Sequence, residues 1–341
     1  MNNPSACENL SRFALLAAFL GMPCCGFDDN SLGADETGNR AFGTQGTIGC
    51  DTAAQKLDRL VITKPGVYEN LLIDGNWAAT TLVKITADNV MLRNCELRHT
   101  TKNAIVLAGK NIVIESCRIH HALAGTFDQQ DDAHGITGSP QNLIIRNCDI
   151  GLVSGDSIQF DPGRRPWDNV LIERCTLWTG PLPADVAGFK RGQRPGENAI
   201  DTKQLTSNPR SRMTIRNCLL FGWNQPGQIS NIAALNLKNN VAVTVEDCLL
   251  YDNEIAFRLR GGDGDYGGAL VAVANCAVYD SAVAVRAENR IRDLKIHRLG
   301  IGAGVKAKLI AAGGDPGPGY ENTGEFQPPP LAQAIHNGFE R

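Results

Sequence analysis

Short runs in which apolar residues alternate with polar ones recur along this chain, and each closes on a polar residue or two and a cysteine. The copies are NVMLRNCEL (89–97), NIVIESCRI (111–119), NLIIRNCDI (142–150), NVLIERCTL (169–177), RMTIRNCLL (212–220), AVTVEDCLL (242–250) and ALVAVANCAV (269–278). Alternation over four to eight residues is the mark of a β-strand with one face buried. A second apolar stretch follows each cysteine. A further strand then reads NAIVLAG (103–109), HGITGS (134–139), DSIQFDPG (156–163), NAIDTKQ (198–204), AALNLKN (233–239), IAFRLRG (255–261) and VAVRAEN (283–289).

The repeated cysteines are Cys95, Cys117, Cys148, Cys175, Cys218, Cys248 and Cys276, separated by 22, 31, 27, 43, 30 and 28 residues. The shortest spacing suits one coil of a parallel β-helix, and longer ones add surface insertions to a fixed core motif. The pattern predicts an all-β chain: a single-stranded right-handed parallel β-helix, a solenoid with loop insertions, over residues 61–311. Equivalent positions then stack about 4.8 Å apart, so the cysteines form a column. Buried thiols filling a bend explain such a column better than a metal site, whose ligands must converge. Disulfides between coils would need Cβ atoms nearer about 3.8 Å.

This register aligns the further strand. Ile105, Ile158, Ile200, Leu235, Phe257 and Val285 fall on the inward column. The next position reads Val106, Gln159, Asp201, Asn236, Arg258 and Arg286, and two residues on it reads Ala108, Asp161, Lys203, Lys238, Arg260 and Glu288. Side chains two apart share a face of a strand, so one outer face gathers acids and cations within a few coils.

Composition narrows the class. The net charge of −3 gives no global basic field for nucleic acid, and no apolar run is long enough to span a bilayer. Phe13 to Met22 has the length of a signal-peptide core, so residues 1–25 read as a leader. Cys24 and Cys25 also admit a lipoprotein-type anchor. Either predicts a secreted, periplasmic or cell-surface protein. Residues 26–60 read as an N-terminal cap or linker, and the Pro- and Gly-rich residues 312–341 as a surface tail. A monomer is expected.

Over about residues 62–305 the chain resembles the pectate-lyase-like superfamily of right-handed β-helices. The repeated N-[VI]-x-I-x-N-x segments carry the likeness, together with GENAID-x-K (196–203), which resembles the segment holding the base lysine in some β-helical polysaccharide lyases. AFRLRGG (256–262) is similar to the basic segment that chondroitinase B and alginate lyase place on a later coil. The resemblance implies β-elimination on an acidic, uronate-containing polysaccharide. Lys203 is then the expected base with Lys238 as its substitute, while Arg258 and Arg260 neutralise the uronate carboxylate. Asp161, Glu197, Asp201 and Asp156 are the expected ligands of a Ca²⁺ ion, which takes six to eight oxygens. Gln159, Asn236 and Glu254, with Lys190, Arg191 and Arg194 of the long insertion 179–195, are expected to contact substrate. Two other readings stand beside this one: a glycoside hydrolase using a pair of carboxyls, and a non-catalytic carbohydrate-binding or cell-surface β-helix.

Overall fold

The computed structural model describes residues 42–163, 165–227, 229–262, 268–291, 293–317 and 319–337. The leader expected over residues 1–25 lies outside them. The chain winds as a parallel β-helix with three faces. The first is built from strands such as Val90–Arg93, Lys110–Glu115, Gln141–Arg146, Asp168–Glu173, Ser211–Arg216 and Val241–Glu246. The second holds Glu96–Thr100, Arg118–Ala122, Asp149–Val153, Thr176–Trp178, Leu219–Phe221 and Leu249–Tyr251. Two long strands, Leu270–Tyr279 and Asp293–Ile301, run through both faces and join them into one sheet. The third face is a separate sheet of ten parallel strands, from Leu60–Ile62 to Ala307–Ala312.

Two of the three bends have a clear cause in the sequence. The residue before every repeated cysteine (Asn94, Ser116, Asn147, Arg174, Asn217, Asp247 and Asn275) has a φ of 50–54°. Asn and Asp tolerate this left-handed conformation best. The cysteine that follows turns inward and is fully buried. Its Sγ lies 3.6–3.9 Å from a carbonyl of the preceding coil. All seven thiols are free, and burial holds Cys117, Cys175 and Cys248 well above the usual thiol range. At the bend leading into the first face, Asn89, Asn111, Asn142 and Asn169 form a ladder of side-chain amide hydrogen bonds at 2.8–2.9 Å. All four also have φ near 55°.

The inward column of the third face runs Ile105, Ile136, Ile158, Ile200, Leu235, Phe257 and Val285, in register as the sequence alignment requires. All belong to one continuous core.

The two ends of the described chain lie along the side of the helix. Residues 42–51 descend the cysteine bend, bonding in turn to Asn217, Asn147, Ser116 and Asn70. Strand Gln55–Leu57 pairs with Leu71–Ile73 as the first rung. At the other end Glu321–Thr323 pairs with Lys295–His297, and helix α1 (Leu331–Asn337) packs Ala334 beside Leu219, Leu249 and Tyr279. No helix among the described residues is long and apolar enough to cross a membrane.

Candidate active site

The third face carries the candidate chemistry. Its strands place Gln159, Asp201, Asn236, Arg258 and Arg286 on one column. The coil pitch sets Asp161, Lys203, Lys238, Arg260 and Glu288 beside them. A third group lies two residues before the inward column: His134, Asp156 and Asn198.

These residues are far less exposed than an outer strand surface implies. Gln159, Asp201 and Asn236 are each under 5% exposed, and Asp156 is fully buried. Two insertions help to make the edge of the face. Leu123 and Phe127 from one pack against Leu182 and Phe189 from the other, beside Leu152. The Gln130 side chain accepts the backbone N–H of Gly196, next to Glu197, at 2.7 Å.

At the centre, Lys238 Nζ is 3.0 Å from Asp201 Oδ1, and Lys203 Nζ is 3.9 Å from Asp201 Oδ2 and 3.8 Å from Asp161. Asp161 also accepts a hydrogen bond from the Gln159 amide at 2.7 Å. The Gln159 amide in turn lies 3.1 Å from His134 Nε2. His134 Nδ1 accepts the backbone N–H of Asp156, and Asp156 Oδ1 accepts the Asn198 amide at 2.7 Å. His134 and Asn198 also belong to this network, and Asn198 is the member that sequence reasoning did not single out. Its signal was available, since it opens a copy of the aligned strand.

Burial tunes these groups. It pushes Glu197 up to about 7, helped by the negative charges of Asp132 and Asp201. It raises Asp201, with Lys238 and Lys203 pulling the other way. Asp156 stands well above the carboxylate range for the same reason, with Asp201 and Glu197 adding to the effect. Burial lowers His134, which keeps its ring neutral. Several polar atoms find no partner here. Among the described residues, buried oxygens of Asp156, Ser157, Asn236 and Glu254, on the third-face strands or the turns that enter them, have no hydrogen bond, whereas Asp201 Oδ1 and Arg260 Nε are met by the ion pairs to Lys238 and Glu288. Buried polar atoms are nearly always satisfied, so such a concentration marks a place built for something else to bind.

The remaining expected site residues are distributed differently. Arg258 and Arg260 are drawn together on one carboxylate. Glu288 binds Arg258 at 2.9 Å, Arg260 at 3.1 Å and Arg286 at 2.6 Å. Burial opposes the Glu288 charge, but the hydrogen bonds from Arg258 and Arg286 hold its carboxyl below the usual range. Glu254, expected to contact substrate, sits at the turn into strand Ile255–Arg260, and burial raises its carboxyl. Lys203, the expected base, has carboxylates as its near partners, Asp161 at 3.8 Å and Asp201 at 3.9 Å. In the insertion, Arg194 pairs with Asp252 at 3.1 Å and reaches three carbonyls, so it fastens the loop. Lys190 is exposed and pairs with Asp185.

Of the expected calcium ligands, Asp156 is fully buried and Asp201 is engaged by Lys238. Among the described residues no three His, Cys, Asp or Glu side chains surround a common metal position. Lys203 and Lys238 face Asp161 and Asp201, while Arg258, Arg260 and Arg286 share the one carboxylate of Glu288.

No curated protein matches the chain in sequence. Solved structures do match in shape. A pectate lyase, Pel9A, is 13% identical with a TM-score of 0.50, over 80% of this chain and 69% of that one. The A-module of the Azotobacter vinelandii mannuronan C-5 epimerase AlgE4 is 12% identical with a TM-score of 0.51. That match covers 76% of this chain and 64% of the module, so the chain spans less than two thirds of it. At such identities the likeness is one of fold. The family described as a right handed beta helix region matches residues 81–276, more than half of the chain, and the protein belongs to that family.

Proposed function

We propose that the third face binds an acidic polysaccharide and cleaves it by β-elimination. The observation that carries this reading is the pair Lys203 and Lys238 on adjacent coils, beside a concentration of buried polar atoms that lack partners. The shape shared with a pectate lyase and a mannuronan C-5 epimerase supports this choice of substrate class. Elimination needs the uronate carboxylate neutralised, a base for the C5 proton and a proton for the leaving oxygen. In this reading Lys203, half-exposed, and Lys238 meet the carboxylate as cations. Glu197, pushed up to about 7, takes the C5 proton near neutral pH, where a base of that strength is well matched, and returns it to the glycosidic oxygen as the C4–O bond breaks and the C4=C5 double bond forms. Gln159 and Asn236 hydrogen-bond sugar hydroxyls.

One observation favours a second reading. Glu197 raised by burial, near an Asp201 carboxylate paired with Lys238, resembles the acid and base of a glycoside hydrolase. The test is a screen of the purified chain against pectate, alginate and glycosaminoglycans, with and without EDTA. A lyase releases an unsaturated uronate that absorbs in the ultraviolet. Reducing ends without that absorbance select the hydrolase. Binding without either product leaves a carbohydrate-binding β-helix.

A further inference from the structure

His134 lies at the edge of the third face, where the chain enters strand Ile136–Gly138. Its backbone N–H donates to the Asn103 side chain at 2.9 Å, and its own side chain is only 5% exposed. A Cβ at Gly155 would sit 2.5 Å from ring atom Nδ1, so glycine is what lets the next peptide close on the imidazole. The N–H of that peptide, from Asp156, donates to Nδ1 at 2.9 Å.

A backbone N–H can only donate, so Nδ1 carries no proton. The single proton of the ring is therefore on Nε2. Nε2 lies 3.1 Å from the Gln159 amide nitrogen, which also has only protons to give. Turning that amide over would offer its oxygen to His134. The oxygen would then occupy the place from which the nitrogen now donates to Asp161 at 2.7 Å, against a carboxylate that already faces the Lys203 ammonium. The nitrogen thus stays toward Asp161, and two N–H groups face each other beside it. Both belong to buried side chains, and a buried donor without an acceptor is costly.

An oxygen between them accepts from both. A carboxylate oxygen suits the position poorly, because Asp161 adjoins Gln159 and the Asp132 carboxylate is 3.9 Å from Nε2. Like charges at that range repel it. A hydroxyl oxygen is uncharged, takes both N–H groups and gives its own proton to a carboxylate.

We propose that His134 and Gln159 together read one hydroxyl of the bound sugar, with Asp132 or Asp161 taking the hydroxyl proton, so that His134 sets specificity for uronates that carry this group. Resting on the reading of the third face as a polysaccharide site, this contact leaves the uronate carboxylate to Lys203 and Lys238. A site built to hydrogen-bond a hydroxyl rejects the sugar that lacks it, since its buried donors are then unpaired.

The test uses the full chain. Long-range nitrogen–proton NMR is expected to show Nε2 of His134 protonated and Nδ1 bare, with His134→Asn identifying the signals. Asparagine keeps an acceptor at the place of Nδ1 and removes the Nε2–H. Affinity is then measured by calorimetry for galacturonate and mannuronate trimers, each also deoxygenated in turn at C2 and at C3. For the trimer that binds, one deoxygenation is expected to weaken the native chain about tenfold and His134→Asn less than about twofold. A purely structural role would lower the affinity of every trimer and leave that ratio intact. If His134→Asn does not fold, as judged by thermal unfolding, Gln159→Met takes its place with the same expectation. A proton on Nδ1, binding of neither trimer, or a deoxygenation penalty that is absent from the native chain or persists in the variant overturns the proposal. Binding that follows the expected pattern without release of an unsaturated uronate removes the elimination and leaves the hydroxyl contact standing.

Discussion

Two charged columns run along this helix, and they differ in how they are paired. On the first face Glu69, Arg93, Glu115, Arg146, Glu173, Arg216 and Glu246 alternate in sign over seven successive coils. Acid meets base at 2.6–2.9 Å in Glu69–Arg93, Glu115–Arg146 and Glu173–Arg216. On the third face the sequence Asp161, Lys203, Lys238, Arg260 and Glu288 has no such alternation. Two lysines adjoin, carboxyls crowd one another and buried oxygens go without hydrogen bonds. The first column is a ladder in which each charge answers the next coil. The second retains interactions that its own residues do not complete. Charge in a solenoid is therefore uninformative until its partners are counted.

The sharpest way to break this comparison is to remove Lys238. Its ammonium is the close partner of Asp201, whose carboxylate is buried. Lys238→Met strands that charge and is expected to cost about 2–4 kcal/mol, since removing one member of a buried pair leaves the other uncompensated. Turnover of acidic glycan is expected to vanish with it. Adding Asp201→Asn should return most of the stability in urea unfolding and none of the turnover. A Lys238→Met protein that cleaves at the normal rate would remove this lysine from the site.

Glu197 gives the next largest effect. Its folded carboxyl titrates near 7, above the value of about 4.3 for an unfolded glutamate. Between those values the folded state binds more protons than the unfolded one, so stability falls as pH rises through that window. Glu197→Gln removes this dependence. The variant should match the native protein at pH 4 and exceed it by about 2–3 kcal/mol at pH 8. Its kcat/KM should drop by about a hundredfold or more. A native stability profile flat from pH 4 to pH 8 would show that Glu197 is not held in this state.

Much of the fold was legible because a β-helix repeats its instructions. One cysteine per coil set the register, and that register alone aligned Ile105, Ile158, Ile200, Leu235, Phe257 and Val285 as the structure has them. The same alignment brought Gln159, Asp201 and Asn236 into one column. It did not reveal their burial, which depends on how their neighbours fold over the face. It also set Glu288 in the column below Arg260 without showing that this one carboxylate gathers three arginines. Partner choice among long side chains is decided by rotamers and desolvation, and a sequence register carries neither.

The cysteine column sharpens the comparison from the uncharged side. Cys218→Ser puts a hydroxyl where a thiol sits fully buried, and should cost about 1–2 kcal/mol in unfolding with no change in turnover. None of the seven column thiols should react with an aromatic disulfide reagent until the protein is unfolded. Rapid labelling of Cys218 in the folded protein would mean that the column opens more readily than its packing implies.

The smallest effects belong to the charge ladder, and they should be graded along it. At its first pair the side chains of Arg93 and Glu69 are 38% and 49% exposed, whereas those of Arg216 and Glu173 are 23% and 10% exposed. Exposed pairs gain little, because water screens the attraction and two long side chains lose freedom. Arg93→Ala should therefore change stability by less than about 0.5 kcal/mol, and Arg216→Ala by about 1 kcal/mol or slightly more. Raising the salt concentration should shrink the first difference further and leave most of the second, since buried pairs are screened least. Neither substitution should alter turnover. Equal losses at both ends would mean that the ladder acts as one cooperative network. Loss of turnover at either end would mean that the first face, too, takes part in what the third face does.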